Sequence, residues 1–209
     1  MTPPNVNLNH ASFTVAAHKS SQWLPDSGRE VAFAGRSNSG KSSALNGITA
    51  HKRLAITSKT PGRTQQIVFF SVAPHCRLVD LPGYGYSKVP QKTRNHWART
   101  IERYFAYRRS LVGLIHTMDI RHPLRDQDMQ LLAWCAGTSI SIHVLLTKSD
   151  KLSKSKIHST VAAVRRELKA FERVDVQAFS SLNGFGVEQA RERVRSWLVG
   201  GDDALDGQA

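Results

Sequence analysis

Gly35-Arg36-Ser37-Asn38-Ser39-Gly40-Lys41-Ser42 follows a short apolar run, Val31-Ala32-Phe33-Ala34, and leads into Ser43-Ala44-Leu45-Asn46-Gly47-Ile48. The order reads as strand, glycine loop, helix. In that setting GxxxxGKS is a phosphate-binding loop: the glycines let the backbone curl, its N–H groups point at phosphate oxygens, and the helix N-terminus adds a favourable dipole. Lys41 is placed to reach the β- and γ-phosphates, and Ser42 to offer its hydroxyl to Mg²⁺. A chance glycine turn has no reason to sit between a strand and a helix, so nucleotide binding is the reading around which the chain is ordered. The loop does not specify the base.

The 209 residues are 40% hydrophobic and 22% charged, which suffices for one well-cored domain. That domain is expected over residues 11–199, with flexible tails at 1–10, which carry two prolines, and at 200–209, rich in Gly and Asp. Cys76 and Cys135 form no CxxC pair, so neither a disulfide framework nor a zinc site is expected. No apolar run approaches a membrane span, and a cytoplasmic monomer is expected. The charge is the unusual feature: 29 Lys plus Arg against 16 Asp plus Glu leave a net charge of +13. A field of that sign favours polyanions: RNA, DNA or an anionic membrane surface.

Strands are expected over residues 30–34, 66–72, 111–118, 140–146 and 174–178, with an edge strand around Phe13 and Val15 and another strand ending at Asp80. Helices are expected after the glycine loop, up to Arg109, over 126–135, from a Ser153 or Ser155 cap to about 171, and over 187–198. This alternation argues a mostly parallel α/β sheet with helices on both faces, binding ligands at the carboxyl ends of its strands. The segment from Lys88 to Arg109 carries Lys88, Lys92, Arg94, Arg99, Arg103, Arg108 and Arg109 against Glu102 alone, a basic face suited to RNA or phosphate. Its Trp97, Ile101, Tyr104 and Phe105 follow helical spacing and read as core.

Further motifs fall in a telling order. Ser58-Lys59-Thr60-Pro61-Gly62-Arg63-Thr64 stands where a first switch loop belongs, and Thr64, close before the next strand, is the residue expected to close over the γ-phosphate and Mg²⁺. Asp80-Leu81-Pro82-Gly83 is DxxG: an aspartate able to hold Mg²⁺ through water, and a glycine N–H able to sense the γ-phosphate. Thr147-Lys148-Ser149-Asp150 matches TKxD. Guanine presents N1–H and its 2-amino group side by side, a donor pair that the Asp150 carboxylate accepts and that adenine lacks. Lys148 is expected to lay its aliphatic stem over the base, and Ser180-Ser181, after Phe179, to bring a backbone N–H to the guanine carbonyl.

On GRSNSGKSSALN, SKTPGRTQ, LVDLPGYGYSKVP, the DIRHPL loop, LLTKSDKL and FSS, residues 10 to 199 resemble the EngB (YihA/YsxC) family of bacterial GTPases, within the TrmE-Era-EngA-like branch. The resemblance implies a three-layer P-loop, Ras-like G domain, GTP and GDP binding with Mg²⁺, slow hydrolysis, and a role in assembly of the large ribosomal subunit with effects on cell division and septation. It further implies that Gly35 to Ser42, Gly62, Arg63, Thr64, Gln65, Gln66, Asp80 to Gly83, Thr147 to Asp150, and Phe179, Ser180 and Ser181 line the nucleotide, with Ser42 and Thr64 on Mg²⁺. Where a Ras-like enzyme has glutamine after the DxxG glycine, Tyr84 stands here, so a partner or a monovalent cation is expected to complete the site. Asn38 resembles the potassium-coordinating asparagine of TrmE-like GTPases, making K⁺ a candidate cofactor. The competing readings are an ATP-dependent kinase, disfavoured by TKSD and FSS, and a nucleotide-regulated division or membrane-associated protein.

The base reading has a direct test. Asp150→Asn should lose guanine nucleotides and gain xanthine nucleotides, because an amide donates to the xanthine carbonyl that a carboxylate repels. Competition binding of GTP against xanthosine triphosphate measures it, and unchanged GTP affinity would refute the assignment.

Overall fold

The computed structural model describes residues 5–55, 66–84 and 91–200, with residues 91–97 as backbone only. The chain runs β1 (Ser12–Ala17), β2 (Arg29–Gly35), α1 (Lys41–Thr49), β3 (Ile67–Ala73), β4 (Cys76–Asp80), α2 (Gln91–Tyr107), β5 (Leu111–Asp119), α3 (Asp126–Cys135), β6 (Ser141–Thr147), α4 (Lys154–Glu167), β7 (Val174–Ala178) and α5 (Val187–Val199). One sheet has the order β1-β3-β4-β2-β5-β6-β7. β4, β2, β5, β6 and β7 are parallel, and the β1–β3 and β3–β4 pairs are antiparallel. After β2 the chain adds β3 and then β4 on one side, with β4 against β2, before crossing to β5 on the other. The carboxyl end of β2 is therefore the switch point at which such sheets open a crevice.

Each parallel strand is apolar on both faces because helices cover both. From β2, Ala32 and Ala34 join Ile101, Tyr104 and Phe105 of α2, Leu131 and Leu132 of α3, and Val164 of α4. Val31 and Phe33 of the same strand point the other way, onto Leu45 and Ile48 of α1 and Val194, Trp197 and Leu198 of α5. The three expected layers result. Of the two candidate caps for α4, Ser153 serves, accepting from the Lys156 N–H. Cys76 and Cys135 are both buried free thiols, and burial pushes the Cys135 thiol up to about 12. Among the described residues no helix is long and apolar enough to cross a membrane.

Three expectations change. Residues 5–10 were assigned to a loose tail, yet Val6 and Leu8 are buried in the α1/α5 layer, and Asn9 Oδ1 accepts from Arg191 Nη2 at 2.8 Å. Two apolar side chains in a polar stretch make no period, so only packing reveals them. Asp128, which reads with Asp126 as the polar face of the 126–135 helix, is fully buried. Arg108, counted in the basic face of α2, turns inward instead: its Nη2 and Nε donate to Glu30 at 2.6 and 2.9 Å. Arg77 Nη1 (2.5 Å) and Tyr104 Oη (2.8 Å) complete the shell around this fully buried carboxylate at the start of β2. Arg99, Arg103 and Arg109 remain exposed, and the side chains of Lys92, Arg94 and Trp97, like Lys88 itself, lie outside the described residues.

A buried carboxylate stripped of one partner is costly. Arg108→Ala should destabilise the fold by about 3 kcal/mol, the lower end for a broken buried pair because Arg77 and Tyr104 remain. Arg109→Ala should stay within about 0.5 kcal/mol. Urea unfolding of the two variants checks the contrast.

Candidate nucleotide site

Loops leaving the carboxyl ends of β2, β4, β5, β6 and β7 meet beside the β2–β5 switch point. Residues 36–40 curl between β2 and α1, with Lys41 and Ser42 opening the helix. The curl is braced from below. Thr117 Oγ1 donates to the Ala34 carbonyl (3.1 Å), so the Ser39 hydroxyl, 2.7 Å away, must donate to Thr117. Thr147 Oγ1 donates to the Ser39 carbonyl (2.5 Å). Gly35 leaves room for this: a Cβ there would lie 2.1 Å from Thr117 Oγ1 and 2.4 Å from Ser39 Oγ. Gly40 caps the helix in the left-handed region at φ +88°.

Two non-glycine residues at the site, Asn38 (φ 66°) and Lys148 (φ 59°), also adopt left-handed backbone, strain that collects where a surrounding structure holds it. They hold each other. Lys148 Nζ donates to the Asn38 carbonyl (2.7 Å) and to Asp119 Oδ2 (3.0 Å), tying TKSD to the phosphate loop. Asp119 also takes a fork from Arg121, with Nε at 2.9 Å and Nη2 at 2.7 Å. Burial opposes its ionisation, but the bonds from Arg121 and Lys148 outweigh that and hold its carboxyl far below the usual carboxylate range. Arg36, Asn38, Asp119, Arg121, Arg125 and Lys148 line a cleft of about 590 Å³ beside the loop.

At the far end, Ser149 N–H donates to the Phe179 carbonyl (3.1 Å) and Ser180 Oγ donates to Asp150 Oδ1 (2.7 Å). The Phe179 ring is buried in the α1/α5 layer, so that residue faces the loops through backbone alone, whereas Ser181 is exposed. The Ser180 bond, then the Lys151 ammonium at 3.1 Å, hold the Asp150 pKa below its ordinary value. Beyond β4, Asp80 Oδ1 accepts from Lys41 Nζ. Leu81 packs in the core, Pro82 is buried, and Gly83 stands against Gly35 and Ser37. Tyr84 hydrogen-bonds the backbone beside Arg36 and sends its hydroxyl to His116 and Asp128. Gly62, Arg63, Thr64 and Gln65 lie outside the described residues, and Gln66 bonds to His18.

The sequence reading missed Thr117, Asp119 and the bracing role of Thr147. Thr117 and Asp119 lie at the end of an apolar strand that points into the crevice, and a polar residue there was the available signal.

Comparison with known proteins agrees with this geometry. A family model described as a 50S ribosome-binding GTPase matches residues 30–148. The probable GTP-binding protein EngB of Stenotrophomonas maltophilia (strain K279a) is 50% identical over 193 residues, 91% of this chain and 96% of that one. The protein of the same description from Azoarcus sp. (strain BH72) is 51% identical over 204 residues, 97% of each. Among solved structures, a probable GTP-binding protein engB superposes with a TM-score of 0.64 at 18% identity, covering 81% of this chain and 98% of the other. A point variant of Aquifex aeolicus Era, bound to GDP.AlF4-, gives 0.65 at 17% identity, covering 82% and 57%. The two structures support the fold.

The Asp150 carboxylate, its pKa held below the ordinary value, stays ionised through the neutral range. Ser180→Ala removes the first of the bonds that lower it. The Asp150 pKa should then rise toward 3.8, followed by the pH titration of its ¹³C carboxyl resonance.

Proposed function

The chain belongs to the EngB family of GTP-binding proteins, and from that membership we propose that it is a nucleotide switch acting on the large ribosomal subunit or its precursor. It is a P-loop GTPase, which binds GTP and GDP. The observation that carries the switch reading is the meeting of the phosphate loop, DxxG and TKSD at one strand edge, with Gly83 of DxxG directly against the phosphate loop.

In this reading the Gly35–Ser42 backbone cradles the phosphates, Lys41 moves from Asp80 onto the β- and γ-phosphates, and Asp150 with Lys148 and Ser181 receives guanine. Mg²⁺ fits the donors at hand: the Ser42 hydroxyl and the Asp80 carboxylate are hard oxygens at adjoining loop ends, linked through Lys41, and Thr64 is the proposed third contributor. Bound there, the ion would offset charge on the β- and γ-oxygens. Asn38 is the proposed contact for K⁺. The Tyr84 hydroxyl is committed to His116 and Asp128 and orients no water, which fits slow intrinsic hydrolysis completed by a partner or a cation.

Two features support a ribosomal partner. The net charge of +13 calls for a polyanion, and the family model that the chain matches is described as ribosome-binding. The exposed Arg99 and Arg103 lie on the helix that follows DxxG, and Arg109 just beyond its end, where a γ-phosphate-dependent loop can pass its state to rRNA. The proposal extends to action in the cytoplasm as a monomer, with effects on division and septation as a downstream consequence of ribosome supply.

Sucrose-gradient fractionation tests the proposal. The form bound to a non-hydrolysable GTP analogue should co-sediment with large-subunit particles, and the GDP form should do so more weakly. Arg94→Glu with Arg99→Glu should lower particle binding and its salt dependence while GTP affinity is unchanged. If the double variant sediments as the parent does, the contact surface lies elsewhere, with the exposed Arg165 and Arg166 next in line.

A further inference from the structure

Tyr84 and Arg36 are joined twice. Along the main chain they form a parallel bridge: the Ser37 N–H donates to the Tyr84 carbonyl at 2.8 Å, and the Tyr84 N–H lies 3.4 Å from the Gly35 carbonyl. Through side chains, Tyr84 Oη lies 3.2 Å from Asp128 Oδ1, while Asp128 Oδ2 accepts from Arg36 Nε at 3.2 Å. Asp128 also accepts from the Arg125 N–H at 3.1 Å, and Arg36 Nη2 donates to the His122 carbonyl at 3.2 Å, so the closed loop of bonds is anchored at the start of α3.

The direction of the hydrogen bonds is fixed by counting protons. Tyr84 Oη stands 2.6 Å from His116 Nε2, and its single proton can serve only one neighbour. The Asp128 carboxylate, flanked by Arg36, only accepts. The phenol therefore donates to Asp128 and accepts from the Nε2–H of His116. His116 is fully buried, and its Nδ1 has no hydrogen-bond partner among the described residues. This arrangement satisfies the phenol, the carboxylate and the guanidinium together.

We infer that Tyr84 is a positioning residue for nucleotide-state sensing: its hydroxyl, held between His116 and Asp128, fixes the adjoining Gly83 backbone against the phosphate loop. The inference rests on the proposed reading of the γ-phosphate by the Gly83 N–H. Gly83 is already close, its Cβ position being 3.5 Å from Ser37 Oγ and 3.7 Å from the Gly35 carbonyl. An amide that must meet an incoming oxygen at hydrogen-bond distance gains from being held in advance, and the double tie to Arg36 holds it. The residue where Ras-like enzymes carry glutamine thus serves the site from behind, through the backbone.

The test compares Tyr84→Phe with the parent in affinity for GDP, affinity for a non-hydrolysable GTP analogue, and the ¹H shift of the Gly83 amide. In the parent, the analogue should move that resonance downfield relative to GDP; if it does not, the γ-phosphate reading of Gly83 itself fails. Tyr84→Phe should keep GDP affinity within about twofold, lose about tenfold in preference for the analogue, and lose the downfield shift. A parent that shows the shift beside a variant that keeps both shift and preference would overturn the role of Tyr84. Equal loss of affinity for both nucleotides would overturn it too, marking the hydroxyl as merely structural. Should Tyr84→Phe not fold, His116→Gln and His116→Leu decide the matter: the glutamine amide can still donate to Tyr84 Oη and should preserve the preference, and leucine should lose it. Identical behaviour of that pair refutes the inference.

Discussion

Two threonine hydroxyls support the phosphate loop, and much of the site depends on them. Thr117 and Thr147 rise from the ends of β5 and β6 to hold Ser39 by its side chain and by its carbonyl. A loop that points several N–H groups at an anion has few internal bonds of its own, so its shape has to be imposed from beneath. Only a residue without a side chain fits at Gly35, where the hydroxyl pair already occupies the space. Asp119 lies two residues beyond Thr117 in β5 and Lys148 directly follows Thr147 at the end of β6, so the brace and the tether to TKSD share one platform.

Charge is handled differently at the two ends of the sheet. At the amino end, Glu30 is sealed by Arg77, Arg108 and Tyr104, a closed set that ties the end of α2 to the start of β2. At the carboxyl end, the carboxylates of Asp80, Asp119 and Asp150 each hold a cation at the crevice, in groups that a nucleotide can rearrange. A buried pair with satisfied partners adds rigidity more than net stability. α2 is thereby pinned at its far end.

The core elements were legible because their signals are local. Apolar runs of strand length and helical spacing reported which residues face inward, and the helix at Asp126–Cys135 and the strand at Val174–Ala178 were read to the residue. The phosphate loop and TKSD stand out in the sequence because each proposed role requires a fixed chemistry at a fixed spacing. Arg108 and Asp128 were misread as surface for a shared reason. Their type says solvent, and what reverses it is a partner distant in the chain, Glu30 for one and Arg36 with Tyr84 for the other. Val6 and Leu8 escaped because two apolar residues establish no period.

By itself, then, the sequence determined the layered α/β architecture, the binding of a guanine nucleotide and the order of the loops that surround it, since glycine conformation, strand and helix periodicity and the chemistry of base recognition are all written in neighbouring residues. Only the tertiary structure decided which hydroxyls brace the phosphate loop, which arginines are sealed inside, and that Tyr84 turns toward His116 and Asp128. Those are contacts between residues 32 or more positions apart, as for Tyr84 and His116, and a hydrogen-bond partner at such separation is chosen by packing, which one-dimensional pattern does not encode.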